Sequence, residues 1–134
     1  VLRKSPVPVL SIKGKGRKKI SQISNILVPV DVSDTTGSDI LSSLEYASAL
    51  STSVTLLYVF WLNEQAYDIP PKLLKNLIAK SRQKLESIAV SGKKKLLKLK
   101  KNSDIDIKTE VINATNPGLA ISWYAKKMNC DMTI

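Results

Sequence analysis

Histidine is absent from this sequence of 134 residues, and cysteine occurs once, at Cys130. The lack of histidine excludes catalytic triads and metal sites that depend on an imidazole, and one thiol cannot build a structural zinc site. A single cysteine also excludes an internal disulfide and suits a reducing compartment. No apolar run approaches the roughly 18 residues of a membrane span, and no signal-peptide pattern is present, so we expect a cytoplasmic protein.

Acidic and aromatic residues are scarce beside the basic ones. The net charge is +10, and the segments 13–19 (KGKGRKK) and 93–101 (KKKLLKLKK) together hold 11 of the 21 basic residues. Such clusters favour anionic partners on electrostatic grounds. However, no aromatic residue interleaves with them, so they offer no stacking platform for single strands. We therefore expect solvated lysines and no nucleic-acid partner.

The most informative stretch is 25–34, NILVPVDVSD. Its apolar run ends at Asp31, which predicts a buried strand near 25–31. Ser33 and Asp34 are short polar residues of the kind that begin helices. In parallel α/β sheets, ligands bind at the C-terminal tips of the strands, so Asp31 is a candidate ligand contact. The alternative is that Asp31 only caps the turn into the next helix.

The rest of the chain alternates helix and strand patterns. The predicted elements are a helix near 38–50, a strand at 53–60, a Lys-rich helix from Pro71 to about Lys101, an edge strand at 105–111, a helix opened by Asn116-Pro117, and a fourth strand at 130–134. Ser91-Gly92 is a predicted interruption of the Lys-rich helix. The order β-α-β-α-β-α-β indicates a parallel sheet with right-handed crossovers and helices on both faces.

Within this order, three segments resemble the universal stress protein family. They are 25–34 (NILVPVDVSD), 43–60 (SLEYASALSTSVTLLYVF) and 105–134 (IDIKTEVINATNPGLAISWYAKKMNCDMTI). Residues 1–12 (VLRKSPVPVLSI) resemble the last helix end and fifth strand of such a domain. The resemblance covers most of the chain and depends on pattern together with spacing.

The resemblance implies a three-layer α/β/α sandwich with a parallel five-stranded sheet in the order 3-2-1-4-5, the adenine nucleotide alpha hydrolase-like arrangement. It divides the chain into residues 1–12 as the last strand of a preceding domain, 13–24 as a basic linker, and 25–134 as a stress-protein domain lacking its C-terminal end. The fifth strand is then missing, or residues 1–12 supply it as a permuted strand. The family also implies a homodimer or tandem pseudo-dimer that pairs through the edge strand.

The resemblance further implies ATP as the ligand, with Mg²⁺ as an accompanying ion. Carried over by position, Asp31 contacts the adenosine, Pro29 and Val30 shape the pocket floor, and Val59 offers backbone groups to the adenine edge. The family's glycine-rich phosphate motif would follow the fourth strand, and the sequence contains no copy of it. Phosphate binding therefore has no support among these residues.

The implied function is a nucleotide-responsive sensor or regulatory module in stress response, and no nucleophile–base pair points to an enzyme. One alternative is an interaction module that binds no nucleotide. Another is a regulatory domain of a transporter, with KGKGRKK beside anionic lipid.

Overall fold

A computed structural model describes residues 19–33, 40–63 and 68–134. The strands are β1 (Asn25–Pro29), β2 (Ser53–Trp61), β3 (Ile107–Ala114) and β4 (Met132–Thr133), and the helices are α1 (Leu41–Ala49), α2 (Pro71–Leu99) and α3 (Pro117–Lys127). A short 3₁₀ helix, Ile20–Gln22, precedes β1. The predicted strand within residues 1–12, the linker as far as residue 18, and Asp34 lie outside the described residues.

All four described strands are parallel and lie in the order β3-β2-β1-β4. Strands β1 and β2 are central in the sheet, and helices cover both of its faces, which explains why β1 has a continuous apolar run instead of an alternating one. Ile26 and Leu27 point to opposite faces of the sheet, and neither is exposed to solvent. The predicted α/β class and strand order are confirmed for these four strands, and a fifth strand is not among the described residues.

The helices divide into two layers. Helices α1 and α2 cover one face, which we call the helix-pair face, and Leu44, Leu85 and Leu96 are fully buried there against β1 and β2. Helix α3 covers the other face, the α3 face, whose buried cluster is Leu27, Leu57 and Tyr124. The molecule therefore has the predicted three layers, with a much larger core on one side of the sheet.

The predicted interruption at Ser91-Gly92 is wrong, because α2 continues unbroken from Pro71 to Leu99. Gly92 is buried in the helix, where α1 approaches closely. A Cβ at this position would lie 2.7 Å from Ile40 Cδ1 and 3.0 Å from Leu44 Cδ1. The glycine serves helix–helix packing, at the modest cost of a glycine within a helix.

The beginning of β4 is held against the beginning of β1 by Asp131. Its Oδ2 accepts hydrogen bonds from Ser24 N at 2.9 Å, Ser24 Oγ at 3.0 Å and Asn25 N at 3.2 Å. A carboxylate with several donors is a strong acceptor. These bonds fix β4 beside β1, although the strand is only two residues long.

Candidate functional site

The four residues predicted from the sequence to form a site lie together. Pro29, Val30, Asp31 and Val59 all line one pocket of about 350 Å³ at the C-terminal tips of β1 and β2. The remaining lining residues are Leu57, Tyr58, Pro117 and Ile121. The volume falls in the lower part of the range of small-molecule sites, roughly 300–1,000 Å³. The pocket forms because β1 stops at Pro29 while β2 continues to Trp61.

Asp31 supplies the one charged side chain among the described residues of the pocket lining. Its Oδ1 accepts a hydrogen bond from Ser33 N at 2.9 Å, which closes the turn that follows β1. Among the described residues no partner is recorded for the other carboxylate oxygen, and the side chain is exposed. The same residue can therefore hold the turn with one oxygen and accept from a ligand hydroxyl or amine with the other.

The structure corrects the predicted role of Ser33 as a helix cap. Ser33 does not cap α1, since that helix begins at Leu41, with Ile40 as an N-cap that makes no side-chain hydrogen bond. Instead, Ser33 donates its backbone N–H to Asp31 in a turn of its own. The carboxylate of Asp31 thus caps a turn, as the sequence alternative held, and also faces the pocket.

The backbone of Val59 is also directed at the pocket. Leu57 O accepts from Val30 N at 2.8 Å, and this contact follows the last paired residues of the two strands, Pro29 and Leu57. Backbone groups point to alternate sides along a strand, so Val59 turns its N–H and C=O toward the side that β1 has vacated. The N–H donor and the C=O acceptor of Val59 are therefore available to a ligand, next to the apolar side chains of the pocket lining.

Tyr58 connects the pocket to the helix-pair face. Burial raises the pKa of its phenol, the negative charge of Asp31 raises it further, and a hydrogen bond with Ser81 of α2 lowers it. The phenol is thus a neutral hydrogen-bonding group at neutral pH. The negative charge of Asp31 thus acts on the Tyr58 phenol within the pocket lining.

Sequence reasoning missed two lining residues that come from a distant part of the chain. Pro117 and Ile121 reach the pocket because Asn116 begins α3 beside the strand tips. Asn116 Oδ1 accepts from Leu119 N at 3.1 Å, as the predicted N-cap should. The proline after Asn116 was visible in the sequence, but its position against β1 depends on the folded sheet.

A larger groove of about 520 Å³ lies on the other side of the start of α3. Its lining is mostly apolar and includes Ile112, Leu119 and Trp123. Trp123 is about half exposed, and Lys127 Nζ lies 4.7 Å from the centre of its ring. None of the four predicted site residues reaches this groove.

Within residues 19–33, 40–63 and 68–134, no group of three or more potential ligand side chains could hold a metal ion. The pocket offers the single carboxylate of Asp31, so the residues present do not build a Mg²⁺ site by themselves. No helix in the same part of the chain is long and apolar enough to cross a membrane.

A parallel sheet of order 3-2-1-4, helices on both faces and a pocket at the strand tips define a class of α/β proteins that bind ligands at this edge. Comparison of the sequence with protein-family models and with curated proteins finds no match. Comparison with solved structures identifies the fold more specifically. The chain has the fold of universal stress proteins.

Three such structures illustrate the similarity. A universal stress protein family member from Burkholderia pseudomallei has 15% identity and a TM-score of 0.62, and the match covers 83% of this chain and 79% of that one. UspA from Lactobacillus plantarum has 26% identity and a TM-score of 0.54, covering 83% and 74%. A universal stress protein in complex with cAMP has 14% identity and a TM-score of 0.56, covering 83% and 70%. The resemblance inferred from the sequence is confirmed at the level of the fold.

Proposed function

We propose that this chain is an adenine-nucleotide-binding regulatory domain and that the nucleoside part of the ligand occupies the pocket lined by Pro29, Val30, Asp31 and Val59. The observation that carries the proposal is the convergence of these residues at the tips of β1 and β2. A similar fold whose structure contains cAMP adds support for an adenine ligand.

The chemistry of the lining fits a nucleoside better than a phosphate. Among the described residues, no Lys or Arg lines the pocket, and the charged side chain of the lining is the carboxylate of Asp31. A carboxylate accepts hydrogen bonds from hydroxyl and amino groups and repels anions. The backbone N–H and C=O of Val59 can form hydrogen bonds with the polar edge of a base, while Pro29 and Ile121 supply apolar contacts to its ring. Phosphates would therefore extend out of this pocket.

The described residues of the pocket lining include no nucleophile beside a general base, and this composition fits a binding role. The interaction module that binds no nucleotide remains the second candidate, and the larger groove beside Trp123 is the observation that favours it. The predicted pairing through residues 1–12 stays a prediction.

The test is calorimetric titration of the protein with ATP, cAMP and adenosine. We expect binding of all three, with adenosine retaining much of the affinity because the phosphates contribute little in the pocket. GTP is the control for base selectivity. Absence of binding for every adenine compound would contradict the proposal and favour the interaction module.

Two variants and a control locate the site. Asp31→Asn keeps an acceptor for Ser33 N–H and removes the charge, whereas Asp31→Ala removes both. We expect a loss of about tenfold or more for the alanine variant and a smaller loss for the asparagine variant. Asp104→Ala removes the same charge from an exposed side chain that follows α2 and should leave binding unchanged. Equal affinity for the wild type and Asp31→Ala would place the ligand elsewhere.

A further inference from the structure

Helix α2 carries a charge pattern that the nucleotide pocket does not explain. Among its 29 residues, nine are Lys or Arg and one is acidic, Glu86. Lys100 and Lys101 follow directly. The helix is about 44 Å long and forms one outer layer of the domain, so this charge covers an extended surface.

The last turns of α2 combine positive charge with exposed aliphatic side chains. We call the residues Val90, Lys94, Leu97, Lys98, Lys100 and Lys101 the basic end of α2. Spacings of three and four residues place Val90, Lys94, Leu97 and Lys98 on one side of the helix. This side is opposite to the buried row of Leu85, Ile88, Gly92 and Leu96. Val90 is 55% exposed and Leu97 is 38% exposed.

The lysines of this surface are available to a partner. Among the described residues, Lys93 forms an ion pair with Asp104 at 3.2 Å, whereas no ion pair involves Lys94, Lys98, Lys100 or Lys101. Among the described residues, the acidic groups nearest in sequence to the basic end are Glu86 in α2 and Asp104 and Asp106 after it, and Asp106 Oδ2 lies 4.0 Å from Lys108 Nζ. The charge of the basic end is therefore largely uncompensated.

We propose that the basic end of α2 is a docking surface for an anionic lipid bilayer. Lysines near an anionic membrane surface each add favourable electrostatic energy, and neighbouring aliphatic side chains can enter the interface. The exposed Val90 and Leu97 between the lysines favour a bilayer over nucleic acid, since phosphate contacts alone need no apolar partner. The basic end also contains no arginine and no aromatic residue, which nucleic-acid surfaces commonly use.

The position of this surface makes it independent of the nucleotide pocket. Helix α2 begins after the C-terminal tip of β2 and returns to the edge where the strands begin. Ser103, just after the helix, accepts a hydrogen bond through its Oγ from Ser48 Oγ at the end of α1, at 2.7 Å. The basic end thus lies at the opposite edge of the sheet from Asp31, and both surfaces can be occupied together.

The test is sedimentation of the full chain with vesicles of phosphatidylcholine alone and of an equal mixture of phosphatidylcholine and phosphatidylglycerol. We expect binding to the mixed vesicles only, weakening as salt increases. The variant Lys94→Gln/Lys98→Gln/Lys101→Gln should lose about fivefold per lysine, on the order of a hundredfold in total. The matched control Lys72→Gln/Lys75→Gln/Lys80→Gln removes the same charge from the first half of α2 and should lose much less.

A second variant separates the bilayer from other anions. Val90→Ser/Leu97→Ser should weaken vesicle binding by about fivefold or more, because the interface would bury their methyl groups. Circular dichroism checks that each variant retains its helices. Three results would each overturn the proposal. They are no binding to the mixed vesicles, equal losses of binding in the two lysine variants, and unchanged binding in the serine variant. In the last case, binding of duplex DNA that depends on Lys94 and Lys98 would identify nucleic acid as the partner.

Discussion

The two faces of the sheet differ in how completely they are covered. On the helix-pair face, α1 and α2 bury thirteen residues in one cluster, and Leu44, Leu85 and Leu96 have no exposed surface. On the α3 face the buried cluster has three of the described residues, and Leu119 and Trp123 of the covering helix are 69% and 54% exposed. We therefore expect the helix-pair face to contribute more to stability, whereas the α3 face leaves room for the pocket and the groove.

The largest predicted effect compares neighbouring leucines of β2 that point to opposite faces. Leu56 packs under the helix pair and Leu57 packs under α3, and each is at most 1% exposed. We expect Leu56→Ala to lower the free energy of unfolding by about 4 kcal/mol and Leu57→Ala by about 2 kcal/mol. We expect the smaller loss for Leu57→Ala because the α3 face is thinly covered, so neighbouring side chains can move into part of the cavity that the substitution leaves. Urea unfolding of both variants measures it, and equal losses would contradict the contrast between the faces.

A glycine in each layer gives the second test. Gly92→Ala places a Cβ 2.7 Å from Ile40 Cδ1, so we expect a loss of about 1–3 kcal/mol from overpacking. Gly118→Ala is the matched control in α3, because its Cβ would meet only Asn116 Oδ1, at 3.6 Å. That variant should be unchanged or more stable by up to about 1 kcal/mol. Thermal unfolding of the two variants gives the comparison, and a neutral Gly92→Ala would mean that α1 packs more loosely on α2.

The N-cap of α3 has a smaller predicted effect. Asn116→Ala leaves the Leu119 N–H without its side-chain acceptor and should cost about 1 kcal/mol. Asn116→Ser is the control, because serine can also accept at this position. Denaturant midpoints measure both variants. A loss in the serine variant as large as in the alanine variant would show that the cap hydrogen bond contributes little.

The smallest predicted effect is the electrostatic coupling between Tyr58 and Asp31. Burial and the Asp31 charge raise the pKa of the Tyr58 phenol, so Asp31→Asn should lower that pKa. Because the pKa is raised in the folded protein, the associated stability is present below the ordinary value of about 10 and is lost as pH rises through the raised value. NMR titration of labelled tyrosine rings measures the shift. Asp104→Asn is the control, and equal shifts in both variants would exclude a specific pair.

Local sequence patterns predicted the elements that depend on local chemistry or on continuous burial. The apolar run of β1 predicted a central strand, and Asn116-Pro117 predicted the start of α3. The predicted break of α2 at Gly92 was wrong because the role of this glycine is close packing against Ile40 and Leu44, which are far away in the chain. The role of Ser33 as a helix cap was wrong for a related reason, since its backbone N–H is bonded to Asp31 in a turn that follows β1.

The site was predictable in part. The rule that ligands bind at strand tips, together with the resemblance, predicted that Asp31 and Val59 lie at one site, and both line the pocket; their role in binding stays a prediction. Pro117 and Ile121 were not found, because nothing local in α3 reveals which strand its first turn will contact. The basic end of α2 was visible as a charge run, but the exposure of Val90 and Leu97 on the same side of the helix required the structure.

The central claim is that an adenine nucleoside binds at the tips of β1 and β2, and backbone amide NMR during titration with cAMP tests it most directly. We predict progressive shifts of the Val30, Asp31 and Val59 amides, with little change at Lys98 or Lys101 at the opposite edge of the sheet. Shifts confined to other residues, or no shifts at saturating cAMP and ATP, would contradict the account.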